Sequence, residues 1–108
     1  MFEIRERREA DGTVCLMLAG ELDLSVRDYF RARLHALQLA NQPVRIDLSE
    51  LEFIDSSGIS TLLRALNEAR NGWSLEVDRQ TNAEVEYVIQ ATGIASRIWS
   101  TERDPQPL

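Results

Sequence analysis

The chain has 108 residues, room for one domain, which excludes a catalytic domain paired with a separate cofactor domain. With 44% hydrophobic and 28% charged residues it can bury a core of its own, so it is not a disordered segment. The net charge of −6 gives a surface that repels phosphate backbones and anionic lipid, so neither direct nucleic-acid binding nor direct membrane insertion is expected.

Every basic residue is Arg, which on its own marks no site. The single cysteine, Cys15, has no internal disulfide partner and sits in the apolar run Val14-Cys15-Leu16-Met17-Leu18, which predicts a buried strand thiol in a reducing compartment. Residues 1–10 carry six charges, at Glu3, Arg5, Glu6, Arg7, Arg8 and Glu9, and so lack a signal-peptide core; a cytoplasmic location is expected.

Phe2 and Ile4 alternate with Glu3 and Arg5, as in a strand with one exposed face, and Asp11-Gly12 supplies a hairpin turn. Residues 13–19 follow with Val14, Leu16 and Leu18 on one side and Cys15, Met17 and Ala19 on the other, predicting a central strand that is apolar on both faces. After Gly20-Glu21-Leu22-Asp23, Ser25 and Asp28 have the spacing of a capping pair for a helix bearing Val26, Phe30, Leu34 and Leu37. Asn41 and Pro43 end that helix, and Val44, Ile46 and Leu48 alternate with Arg45, Asp47 and Ser49 as a third strand.

The segment Leu51-Glu52-Phe53-Ile54-Asp55-Ser56-Ser57-Gly58 leads from that strand into a second helix, where Ile59, Leu62, Leu63 and Leu66 recur at helical spacing. Gly72 stops the helix, Trp73, Leu75 and Val77 alternate as a fourth strand with Trp73 partly buried, and Thr81 with Glu84 reads as a capping box. Val85, Val88 and Ile89 are the apolar face of the third helix, Gly93 ends it, and Ile98 and Trp99 form a short last strand or helix contact. The expected fold is α/β: a small single-layer mixed sheet of four or five strands backed by helices, one domain over residues 1–100, with 101–108 as a flexible tail.

Little in this chain suggests chemistry of its own. One His and one Cys, His35 and Cys15, fall on different elements without ligand spacing, so no metal site is expected. His35 also lies off the apolar stripe of its helix, which makes it an exposed or rim residue. Asp55-Ser56-Ser57-Gly58 is not the strained elbow of a serine hydrolase and has no evident imidazole base. The five glycines are scattered singly, so no loop cradles a nucleotide phosphate and no cofactor is expected. What remains is a turn that places small hydroxyls at the positive end of a helix. On residue physics alone, capping by Asp55, Ser56 or Ser57 accounts for it as well as a functional serine does.

Gly20-Glu21-Leu22-Asp23 after the second strand, and Asp47-Leu48-Ser49 followed by Phe53-Ile54-Asp55-Ser56-Ser57-Gly58, together resemble the STAS domain of bacterial anti-sigma factor antagonists. The likeness runs from about Phe2 to Trp99, and its most specific part is the Phe-Ile-Asp-Ser-Ser-Gly step before an apolar helix. It implies the STAS-domain fold and a regulatory protein that is no enzyme. The unphosphorylated form would bind an anti-sigma factor that is also a serine kinase, with ATP held by that partner, and so release a sigma factor. The same resemblance assigns phosphorylation to Ser56, a serine phosphatase to reset it, and a partner-contact face to Asp23, Asp55, Ser56, Ser57 and Gly58, with Leu48 and Ile54 as core beneath. Phosphate on Ser56 is then expected to gather like charge beside Asp55 and Asp23 and to act on binding more than on fold. Ser60, where the family often has glycine, and Trp73 depart from the pattern and bear on partner identity. The alternative is a constitutive STAS adaptor subunit of a membrane transport complex, in which Ser56 is only an N-cap.

Overall fold

The computed structural model describes residues 1–78, 81–93 and 98. The alternation of Phe2 and Ile4 with charged neighbours becomes strand β1, Phe2–Arg8, which pairs antiparallel with β2, Val14–Leu22, in the register Phe2 to Gly20 through Arg8 to Val14. The hairpin closes as expected at Asp11-Gly12, where Asp11 Oδ1 accepts from Thr13 N at 2.9 Å. Strand β3, Val44–Ile54, lies parallel to β2, and β4, Leu75–Val77, lies parallel to β3, so the sheet order is β1-β2-β3-β4. Parallel neighbours need crossovers, supplied by α1, Arg27–Leu39, and α2, Ser56–Ala69. Helix α3, Ala83–Ala91, follows β4. The expected mixed sheet backed by helices is present, with four strands among the described residues.

One face of the sheet carries the core. Val14, Leu16, Leu18, Val44, Ile46, Leu48, Leu75 and Val77 form a single buried cluster with Phe30, Leu34 and Leu37 of α1, Leu62 and Ala65 of α2, and Val85 and Ile89 of α3. Ile98 joins that cluster, whereas Trp99 and the tail 101–108 lie outside the described residues. Helix α2 turns Thr61 and Ala65 inward beside Ile59 and Leu62, leaving Leu63 and Leu66 half-buried at the edge of the expected stripe.

Strand β2 is central, as expected, and apolar on both faces through Ala19, but the face opposite the core carries charged neighbours from the adjoining strands. There the register sets Arg7, Cys15, Arg45 and Glu76 in one row, and Arg45 is paired with Glu9 and Asp78. Cys15 is nonetheless fully buried, because it is flanked in that row by the long side chains of Arg7 and Arg45. Burial pushes its thiol above the ordinary range.

Three local expectations also change. The first is the length of β2 and β3, both of which run on through segments read as loop, because β3 holds an extra residue opposite Met17 and Ala19 and another opposite Gly20 and Glu21. These bulges break the two-residue alternation, so that Leu51 and Ile54 are buried at a spacing no strand template anticipates. The second is the approach to α1, where Asp23 rather than Ser25 is the capping residue and α1 itself starts after Val26 with no side-chain cap. Asp23 accepts from Ser25 N at 3.0 Å and nucleates a 3-10 helix, Leu24–Val26, ahead of α1. The third is the start of α3, capped by Asn82 and not by a Thr81–Glu84 box. Asn82 Oδ1 accepts from Val85 N at 2.8 Å, while Asn82 Nδ2 donates to Leu51 O and ties α3 to the β3 bulge. Trp73, expected to be partly buried, is buried outright, with Nε1 donating to Gln42 O at 2.7 Å.

Candidate functional site

The carboxyl ends of β2 and β3 and the first turn of α2 meet at Asp55. Its backbone is extended, with φ −110° and ψ −174°, and its carboxylate caps α2. Oδ1 accepts from Ser57 N at 2.9 Å, Gly58 N at 3.0 Å and Ser57 Oγ at 2.7 Å, and Oδ2 accepts from Leu24 N at 3.3 Å. Burial pushes the carboxyl up, but the bonds from Ser57, Gly58 and Leu24 together outweigh it and hold Asp55 below the usual carboxylate range. The Leu24 bond joins this turn to the one capped by Asp23, so the two acidic turns named from the sequence are neighbours in space.

Two glycines let the chain make this junction. A Cβ on Gly58 would come within 2.8 Å of Leu22 O and 2.9 Å of Ile54 Cγ1, so the start of α2 rests directly on the end of β2. Gly58 is therefore buried beneath the surface on which the sequence placed it, and its role in the turn is packing. Gly20 has φ +90° and stands where any side chain would strike Met1 O, which instead accepts from Glu21 N at 2.8 Å.

The two serines have different surroundings. Ser57 Oγ is committed to Asp55, and Ser57 O accepts from Thr61 Oγ1 at 2.9 Å. Ser56 is exposed, and its hydroxyl has no hydrogen-bond partner among the described residues. Of the three capping candidates, Asp55 alone fills the position, so the reading of Ser56 as an N-cap is corrected.

Features that periodicity did not single out adjoin this segment. Leu24, whose amide bonds Asp55, is 62% exposed, and Phe53, two residues before Asp55, is 48% exposed. Leu24 adjoins the turn through its amide, whereas the Phe53 side chain lines a groove with Ala83, Glu84, Tyr87 and Val88 of α3. Toward α1, Ser56, Ser57, Ser60 and Thr61 share a groove of about 300 Å³ with Arg27, Arg31 and Arg64. Asp55 and Asp23 stand beside Ser56 as expected, but Asp55 is turned onto the amides of Ser57 and Gly58, and the adjoining groove carries three guanidinium groups that the sequence reading did not single out. His35 is exposed and lines the continuation of that groove beside Trp73. Among the described residues no group of three or more His, Cys, Asp and Glu could hold a metal ion, and no helix is long and apolar enough to cross a membrane.

With this geometry in view, the chain can be set beside known proteins. The family model described as "Mlab, STAS domain" matches residues 6–98, nearly the whole chain. The protein belongs to the STAS-domain family. No curated protein matches the sequence. Among solved structures, an anti-sigma factor antagonist from Mycobacterium paratuberculosis superposes with a TM-score of 0.77 at 20% identity, covering 92% of this chain and 83% of that one. The anti-sigma factor antagonist SpoIIAA in its unphosphorylated form gives a TM-score of 0.71 at 22% identity, covering 85% of this chain and 82% of that one. SpoIIAA of Bacillus, a cell-fate determinant, in its phosphorylated form gives 0.65 at 21% identity, with 86% of each chain covered. At these identities the similarity is one of fold.

Proposed function

We propose that this protein is an anti-sigma factor antagonist whose unphosphorylated form binds an anti-sigma factor with serine kinase activity and thereby frees a sigma factor. Phosphorylation of Ser56 ends that binding, and a serine phosphatase restores it. The observation that carries the reading is the contrast within the turn, where Ser57 is locked to Asp55 and Ser56 presents an unengaged hydroxyl to solvent. A kinase needs an acceptor it can approach in line with its nucleotide, and the ATP, the magnesium ions and the base belong to that partner. The chain is the substrate and the ligand.

The partner face would comprise Asp23, Asp55, Ser56 and Ser57 at its centre, with Gly58 shaping the turn from below and Leu24 and Phe53 as the apolar contacts beside it. A phosphoryl group adds about −1.5 to −2 charges at neutral pH, while the amino end of a surface helix stabilises an anion by only ~0.3–1 kcal/mol. The fold can therefore keep the phosphate, whereas a partner packed over Leu24 and Phe53 meets new charge and bulk. That SpoIIAA, similar in fold, exists in phosphorylated and unphosphorylated forms supports the same reading.

The test is intact mass with site mapping before and after incubation with the cognate anti-sigma kinase and ATP. One phosphate on Ser56, absent from Ser56→Ala, is the expected result. No phosphate in the presence of an active cognate kinase would overturn the switch. The protein would then read as a constitutive adaptor subunit of a membrane transport complex, which the exposed Leu24 and Phe53 would serve equally well.

A further inference from the structure

We propose that the groove between α1 and α2 is a phosphate site, in which Arg27, Arg31 and Arg64 take up the phosphoryl group once Ser56 carries it. The inference rests on the reading of Ser56 as the acceptor and adds where its phosphate goes. In a chain of net charge −6, these three arginines line one groove of about 300 Å³ together with the hydroxyls of Ser56, Ser57, Ser60 and Thr61. The acidic groups around them are few or already engaged. Asp28 on α1 stands 3.3 Å from Arg27 and 3.8 Å from Arg31 and is itself 82% exposed. Asp55 is held by main-chain donors and Ser57, and Asp23 by Ser25. Farther along the groove lie His35 and Glu68. Arg64 has no ion-pair partner among the described residues, so the groove keeps an excess of positive charge.

The reach is adequate. Arg64 follows Ser56 by eight residues, about 12 Å along a helix axis. Helical side chains lean toward the amino end, which brings the Arg64 guanidinium back toward the first turn, and Arg64 and Ser56 line the same groove. Arg27 and Arg31, one turn apart on the facing helix, approach from the other wall of the groove. Guanidinium forks match phosphate oxygens in pairs, a geometry no single lysine charge offers. Ser60, the residue that departs from the family pattern, lies between Ser56 and Arg64 and adds a hydroxyl donor to the groove. Phosphorylation would thus do more than add negative charge at the turn: it would also engage Arg64, which has no ion-pair partner among the described residues, and compete with the exposed Asp28 for Arg27 and Arg31.

The experiment places phosphoserine at position 56 by genetic encoding, so that no kinase is needed, and follows the phosphorus-31 resonance of the whole chain through its second ionisation. Nearby positive charge favours the dianion, so the midpoint should lie below the usual value of about 6. It should rise by about half a unit or more in Arg27→Gln/Arg31→Gln/Arg64→Gln, with Arg64→Gln between the two, while Arg70→Gln at the far end of α2 leaves it in place. All four arginines are at least partly exposed, and circular dichroism checks that the variants fold. Identical midpoints in all these proteins would overturn the site. So would a low midpoint that the triple variant fails to raise, since the helix terminus alone would then account for it. Failure of the functional reading has a different signature: no native phosphate on Ser56, or unchanged partner affinity when it is present.

Discussion

Asp55→Ala tests the construction of the turn on which everything else depends. The substitution removes a helix cap that serves two main-chain amides, those of Ser57 and Gly58, together with the bond from Ser57 Oγ and the cross-turn bond from Leu24 N. Loss of such a cap costs about 1 kcal/mol, and loss of the tie to Leu24 adds roughly 0.5–1 kcal/mol, so a destabilisation near 2 kcal/mol is expected. For a chain of 108 residues that corresponds to a fall in Tm of about 8 °C. The effect must also depend on pH with a definite sign. Because the folded carboxyl ionises below its unfolded value of about 3.9, its stabilisation is complete above that value and is lost as pH falls through the folded one. Urea unfolding followed by tryptophan fluorescence, at neutral pH and near pH 3, should therefore show the gap between wild type and Asp55→Ala narrowing in acid. Asp55→Asn, which can still cap, should recover most of the stability at neutral pH. A gap under about 0.5 kcal/mol at neutral pH, or one of equal size at both pH values, would refute the reasoning.

The junction makes further demands. Gly58→Ala gains about 1 kcal/mol of helix propensity but forces a methyl group onto Leu22 O and Ile54, an overpacking cost of roughly 1–3 kcal/mol, so a lower denaturation midpoint is expected despite the better helix former. Ser57→Ala should cost about 1 kcal/mol through its lost bond to Asp55, whereas Ser56→Ala should stay within ~0.5 kcal/mol of wild type in the same assay. Leu24→Ser and Phe53→Ser should each weaken partner binding about tenfold or more in calorimetric titration, without lowering Tm. Cys15 should resist a thiol reagent in the native protein and react only at the rate of unfolding, as followed by absorbance.

What the sequence disclosed, and what it withheld, follows from the range of each interaction. Periods of two and of three to four residues carried the strands through Val14, Leu16 and Leu18 and through Val44, Ile46 and Leu48, and the helix through Phe30, Leu34 and Leu37, because burial of one face writes itself directly into the pattern. The bulges of β3 erased that pattern just where the strand approaches the site, so Leu51 and Ile54 read as part of a connecting loop. Capping was legible in kind but not in position, since Asp23 and Ser25, or Thr81 and Asn82, offer equally suitable side-chain acceptors until the backbone fixes which one turns. Ser56 was found through a motif resembling a family. Its exposure, the commitment of Ser57 to Asp55, and the meeting of Arg27 and Arg31 with Arg64 belong to tertiary structure, because α1 and α2 are far apart in the chain and no local pattern links them.

The most direct test of the central claim is the affinity of the anti-sigma factor for this chain before and after Ser56 is phosphorylated, with Ser56→Ala carried through the same kinase treatment. The account predicts tight binding by the unmodified protein and by treated Ser56→Ala. It predicts binding about a hundredfold weaker or more, some 2.7 kcal/mol, for the phosphorylated protein, with its circular dichroism unchanged and its Tm not lowered. Equal affinity for the two forms, or weakening accompanied by loss of the fold, would contradict it.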